Sequence, residues 1–236
     1  MRLWLGLDRS LERLNALAAE RGLRTESGQP VRFVPPGGPR GAYEVAVFET
    51  GRVATRPEHP HDWFNALAWL AFPRTKARIN ALHAAAIPHE RGQRGRVRDL
   101  LTLFDEGGTL VACADAELVG LLRAHRWREL FWTRRAQVLE RMRFLVLGHA
   151  VLEKAHRPWA GLTCKALVVD PNGDADAQAA AWLAALGPDA TPRALDSLPV
   201  FGYPGWLPES ADPLFYDDWR FFRPATGNEP LQGNAG

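Results

Sequence analysis

Asp99-Leu-Leu-Thr-Leu-Phe-Asp-Glu-Gly-Gly-Thr-Leu-Val-Ala-Cys-Ala114 is the stretch on which the fold class turns. Two apolar runs, residues 99–104 and 109–114, flank Glu106-Gly107-Gly108. A glycine pair between apolar runs is hairpin chemistry, because glycine reaches the backbone conformations of tight turns at little cost. The spacing predicts a β-hairpin near 99–114, inside a small sheet.

Outward from it, helical spacing dominates. Apolar positions 7, 11, 14, 17 and 18 predict a helix over 8–21, stopped by Gly22. Asp62 suits the cap of a helix running to 71, and Pro73 fits the first turn of another reaching 87. Downstream, Asp115 caps a helix to 125, an amphipathic stretch covers 127–139, and 175–186 is a helix stopped by Gly187-Pro188. Residues 31–34, 43–48 and 162–169 read as strands, while 143–147 fits a strand or the middle of a long helix equally well. From residue 187 onward periodicity fades. Phe201, Tyr203, Trp206, Phe215, Tyr216, Trp219, Phe221 and Phe222 are too many rings for water and are expected to anchor a tail wrapped on the core. The expectation is an α+β or mixed α/β fold, one domain over 1–224, with 225–236 disordered.

Composition agrees with one globular unit. The 236 residues are 46% apolar and 24% charged, which excludes fibrous and disordered classes. No apolar run approaches the ~18 residues of a membrane-spanning helix, so no membrane association is expected. Cys113 and Cys164 are too few for a disulfide framework, and Met1–Asp8 meets an acid too early for a secretory leader, so the expected location is cytoplasmic. Charge is uneven. Residues 74–143 carry 14 basic against 8 acidic side chains, and 144–236 carry 6 against 11. The basic middle either faces an anionic partner such as nucleic acid or pairs with the acidic end inside the fold.

Chemistry-bearing residues gather in three places. His59-x-His61-Asp62 supplies two imidazoles and a carboxylate at a helix start, donors that suit Zn, Mn or Fe, although His59 and His61 also fit simple packing beside Pro60. Lys76, Asn80 and His83 fall on one face of a single predicted helix, either solvated or lining a pocket. Gly148-His149-x-x-x-Glu153 puts an imidazole and a carboxylate one helical turn apart, for metal ligation or acid–base work. Asp99 and the Asp105-Glu106 pair read as turn chemistry, although Asp99, at a strand start, could also reach inward. Phosphate-binding loops, dinucleotide fingerprints and nucleophile elbows are absent from the sequence. Arginines interleaved with Trp127, Phe131 and Trp132 fit either base stacking or an amphipathic helix with solvated arginines.

The run His61-Asp-Trp-Phe-Asn-Ala-Leu-Ala-Trp-Leu-Ala-Phe-Pro-Arg-Thr-Lys76, followed by Asn80 and His83, resembles the hallmark segment of the bacterial family catalogued as domain of unknown function 3025. Asp105-Glu-Gly-Gly108, Gly148-His-Ala-x-x-Glu-Lys154 and the tail from Gly202 to Pro224 resemble it too. The resemblance spans about residues 30–224. It implies one structural unit and brings no activity with it.

The functional expectation is a hydrolase-like enzyme acting on an anionic small molecule, such as a phosphoester. Its pocket would gather His61, Asp62, Lys76, Asn80, His83, His149 and Glu153. One divalent ion would be held among His59, His61, Asp62, His149 and Glu153, and Lys76 would neutralise developing charge. The alternative is a binding module that docks nucleic acid or an acidic partner through residues 74–143. A third reading makes the polar residues a buried network tying the tail to the core. Oligomeric state is not legible.

Overall fold

The computed structural model describes residues 8–37, 43–89, 95–155 and 159–224. The expected disordered tail, 225–236, lies outside them. The first helix, α1 (Leu11–Glu20), starts where the Ser10 side chain accepts a hydrogen bond from the Arg13 amide, and ends at Gly22, whose φ of 61° few other residues adopt readily. Strand β1 (Arg32–Val34) pairs in parallel with β2 (Arg52–Ala54). Between them residues 43–48 form a helix, α2 (Tyr43–Thr50), where a strand was expected. A parallel pair requires a crossover connection, and this segment supplies it with only Val47 fully buried.

Helix α3 (Pro60–Ala71) buries Trp63, Phe64, Leu67 and Leu70 against α1 and the small parallel sheet. Pro60 starts it, with His59 and not Asp62 at the cap position. Pro73 begins α4 (Pro73–Ala86), and the chain bends at Phe72 between them. Two carboxylate oxygens of Asp176 accept the Arg74 and Thr75 amides, satisfying donors that an α-helix leaves orphaned at its start.

The predicted hairpin does not form. Residues 99–104 belong to helix α5 (Arg96–Gly107), with Asp99 in its first turn. Leu100, Leu101 and Phe104 recur at helical spacing and are fully buried, so packing of that stripe overrides the glycine pair. Gly107-Gly108 instead carries the helix straight into strand β3 (Gly108–Ala112). This strand pairs antiparallel with β4 (Arg143–Val146) and parallel with β5 (Thr163–Val169), and β5 pairs antiparallel with β6 (Asp196–Pro199). The sheet order is β4-β3-β5-β6, which settles residues 143–146 as strand.

All of β3 is buried because both sheet faces are covered. Leu110, Ala112, Leu167 and Val169 face α4, α5 and α9 (Ala175–Ala184). Val111, Cys113, Cys164 and Ala166 face α6 (Ala116–Arg123), a π-helical turn at Glu129–Thr133, α7 (Arg135–Arg141) and the aromatic tail. Phe201, Tyr216 and Phe222 are buried there. Trp127 Nε1 donates to the Arg223 carbonyl at 2.8 Å, and Arg135 donates to the Ser210 carbonyl at 2.8 Å. Two rings depart from the expectation: Trp206 and Trp219 keep 42% and 66% of their surface exposed. The chain is a single α+β domain, and no helix among the described residues is long and apolar enough to cross a membrane.

Candidate active site

Gly148 decides where the site sits. A Cβ at this position would lie 2.6 Å from the Glu106 carbonyl oxygen and 2.7 Å from Gly107 Cα. Only glycine lets the start of helix α8 (His149–Lys154) press against the end of α5, where the Gly148 amide donates to Gly108 O at 2.8 Å. This contact brings His149 Nδ1 within 2.9 Å of the Asp105 carbonyl. Helix α3 packs across α8 from the other side and delivers His61, whose Nε2 lies 3.2 Å from His149 Nε2. His61 Nδ1 lies 3.0 Å from Glu153 Oε2, one turn along α8.

The proton positions follow from the partners. A carbonyl oxygen only accepts, so His149 Nδ1 carries hydrogen. Burial, seconded by the positive charges of Lys76 and His61, pushes the His149 pKa down to about 4 despite the pull of Asp105. His149 is therefore neutral at pH 7, and its Nε2 is a bare acceptor. His61 Nε2 must then donate to it. A second proton sits between His61 Nδ1 and the Glu153 carboxylate, because two lone pairs would repel at that distance. The result is a proton chain from Glu153 through His61 and His149 to the Asp105 carbonyl. His149 is buried, whereas the His61 side chain is 38% exposed.

Both histidines line a cavity of ≈ 590 Å³ between α2, α3, α4 and α5. Lys76, Asn80 and His83 share the α4 face and all border this cavity, each buried with 4% or less of its surface exposed. Lys76 Nζ is ion-paired with Asp105, donates to Asn65 Oδ1 at 2.8 Å, and lies 5.7 Å from the Trp69 ring centre. Burial alone would raise the Asp105 pKa, but the Lys76 ammonium, through its charge and its hydrogen bond, holds the carboxyl below its usual range. Asn80 Nδ2 donates to the Glu44 carbonyl at 2.9 Å and to Glu44 Oε2 at 2.7 Å. Burial raises the Glu44 pKa against this hydrogen bond. Arg98 Nε donates to His83 Nδ1 at 3.1 Å.

Two parts of the expected constellation come out differently. Asp62 borders the cavity, but both its oxygens are taken by Arg56, through the backbone amide at 3.0 Å, Nε at 2.7 Å and a terminal nitrogen at 3.1 Å. His59 is 45% exposed, 3.9 Å from Asp62, with its ring centre 6.5 Å from that of His61. The metal set His59, His61, Asp62, His149 and Glu153 therefore does not converge, and no group of three or more potential ligands forms among the described residues. Lys76, expected to meet substrate charge, is engaged by Asp105.

Sequence reasoning missed Tyr43, Glu44, Asn65 and Arg98, and took Asp105 for a turn residue. Arg98, Thr102 and Asp105 form a polar stripe at helical spacing, as do His61, Asn65 and Trp69. The first stripe is visible only once residues 96–107 are read as helix.

The basic middle is largely paired. Arg74, Arg123 and Arg128 form ion pairs with Asp174, Asp196 and Asp217 of the acidic end. Arg78, Arg126, Arg134 and Arg141 pair with Glu26, Glu129, Glu117 and Asp115. Trp127 and Phe131 are buried, so neither ring offers a stacking face.

In comparisons with known proteins, the family model described as protein of unknown function (DUF3025) matches residues 31–226. No curated protein matches, and no solved structure matches.

Proposed function

The chain belongs to the DUF3025 family, and on that footing we propose that the cavity is an active site for general acid–base chemistry of the hydrolytic kind on a polar small molecule. The observation that carries this reading is the Nε2–Nε2 contact of His61 and His149 at 3.2 Å, held at both outer nitrogens and opening on the cavity. A proton-transfer group, a base that fixes its tautomer and a carboxylate that orients it are the parts such catalysis uses. His61, the more exposed ring, passes its Nε2 hydrogen to substrate or water when it gives up the contact with His149, and takes it back on return. His149 holds that hydrogen in place at rest, and Glu153 keeps the ring oriented through Nδ1 throughout.

The substrate class follows from charge. The cavity wall holds Arg56, Lys76 and Arg98 against Glu44, Asp62, Asp105 and Glu106. Arg56 and Lys76 are paired with carboxylates, and Arg98 donates to His83. A phosphoester finds no surplus positive charge there, so the anionic substrate of the sequence reading is the less favoured version. A metal-assisted version would rest on His61 and His149 alone among the described residues, one ligand short of the usual catalytic zinc set. The docking alternative is disfavoured by the pairing of the 74–143 arginines.

A panel of carboxylic esters, amides and phosphoesters assayed with wild type, His61→Gln and a chelator tests the reading. It expects turnover that His61→Gln abolishes and the chelator leaves unchanged. Turnover that survives His61→Gln contradicts it.

A further inference from the structure

Resting on the reading of this cavity as the active site, we propose that its ligand carries a positively charged nitrogen, an ammonium or guanidinium, seated on Glu44 and Asn80. Glu44 borders the cavity, and among the described residues it has no Lys, Arg or His nitrogen within ion-pair distance. Its only direct polar partner there is Asn80. The other carboxylates of the wall differ: Asp62 is held by Arg56, Asp105 by Lys76, and Glu106 is exposed to solvent. Glu44 is thus the sheltered carboxylate of the wall without a direct ion pair; Lys76 and Arg98 act on it only at a distance, and burial outweighs them.

Asn80 supplies the second, independent sign. Its amide is 2% exposed, and both contacts of Nδ2 go to acceptor oxygens of Glu44, which fixes which end of the amide is nitrogen. The opposite end, Oδ1, is buried without a hydrogen-bond partner. A buried amide oxygen with no donor is rare in folded proteins. Glu44 has one neutral amide donor and no ion pair, and the neighbouring Asn80 Oδ1 has no donor at all; a cationic nitrogen, with several N–H groups and a charge, supplies both. An alcohol brings one donor and no charge, and a carboxylate or phosphate brings neither. The burial that raises the Glu44 pKa would be offset by the ligand's own charge.

The test uses the full chain and four probes of matched length, butylammonium, butylguanidinium, butanol and butyrate, followed by amide chemical shifts at millimolar concentration. The expected result is binding of both cations at least about tenfold tighter than butanol, a difference of ~1.4 kcal/mol, with butyrate weakest. Glu44→Gln removes the cation preference, and Asn80→Ala weakens both cations. His61→Gln leaves cation binding within about twofold, since the imidazoles bond each other, Glu153 and Asp105, and neither Glu44 nor Asn80. A His61 variant that binds cations normally while no variant affects turnover would therefore end the catalytic reading and leave this one standing. Equal binding of butanol and butylammonium, no binding of either cation, or an undiminished cation preference in Glu44→Gln overturns the proposal. If Glu44→Gln does not fold, the wild-type comparison of the four probes decides.

Discussion

His61 and His149 are separated by 88 residues in sequence, and their Nε2 atoms meet at 3.2 Å. With His149 Nδ1 bound to a carbonyl and His61 Nδ1 to a carboxylate, the contact between them has room for one proton and one direction. That directionality makes the site chemically definite. The exposed ring holds the proton, and the buried ring is the acceptor that fixes it.

Replacing His61 with Gln should abolish turnover of any substrate found and change unfolding free energy by less than about 1 kcal/mol, because 38% of the side chain is exposed and Gln keeps a hydrogen-bonding group there. Chemical denaturation and a kinetic assay on the same preparation check both halves.

Glu153→Gln should lower kcat by about 10- to 100-fold with little change in KM, the loss expected when an orienting partner of a histidine is removed. A purely structural role would instead lower the unfolding midpoint and leave kcat in place.

Stability should fall as pH drops from about 6.5 toward 4. Unfolded histidine takes up a proton near pH 6.5, whereas folded His149 resists until about pH 4, so over this window the unfolded state binds more protons. The contribution is complete above pH 6.5 and amounts to ~3 kcal/mol lost by pH 4. Urea midpoints measured across that range should slope in wild type and flatten in His149→Asn.

Asp105→Asn should destabilise the protein by about 3 to 5 kcal/mol, since it leaves buried Lys76 without its counter-charge. Joining it to Lys76→Met should recover much of that loss. A double-mutant cycle by denaturation reads the coupling.

Gly148→Ala and Gly107→Ala should behave differently despite their proximity. An added methyl at 148 meets three backbone atoms at 2.7 Å or less, whereas at 107 the nearest neighbour is Val151 Cγ2 at 3.9 Å. The first should cost about 1 to 3 kcal/mol and break the His149–Asp105 contact, and the second should be near neutral. Thermal unfolding of the two variants side by side distinguishes them.

The sequence made most helices legible because their apolar stripes and caps are local signals. Ser10, Asp115 and Asp174 accept helix-start amides where such residues belong. Phe201, Tyr216 and Phe222 are buried as their ring content implies, whereas Trp206 and Trp219 are not. The errors sit where tertiary packing outvoted a local cue. Gly107-Gly108 looks like a turn, yet Leu100, Leu101 and Phe104 bury as a helix; residues 43–48 look like a strand, yet a parallel pair needs its crossover there. The site divides along the same line. Stripes on one helix, such as Lys76, Asn80 and His83, could be grouped from spacing alone. The partners Glu44 and Asp105 come from the two misread elements, so no spacing rule could assign them to the cavity.

The most direct test of the paired-imidazole account is a long-range ¹H–¹⁵N correlation spectrum of the histidine side chains recorded from pH 4 to 8. The account predicts that His149 stays neutral, with hydrogen on Nδ1 and a bare Nε2, until the pH approaches 4, and that its signals respond when His61 is replaced. A His149 that titrates near pH 6.5, or that carries hydrogen on Nε2 at pH 7, contradicts it.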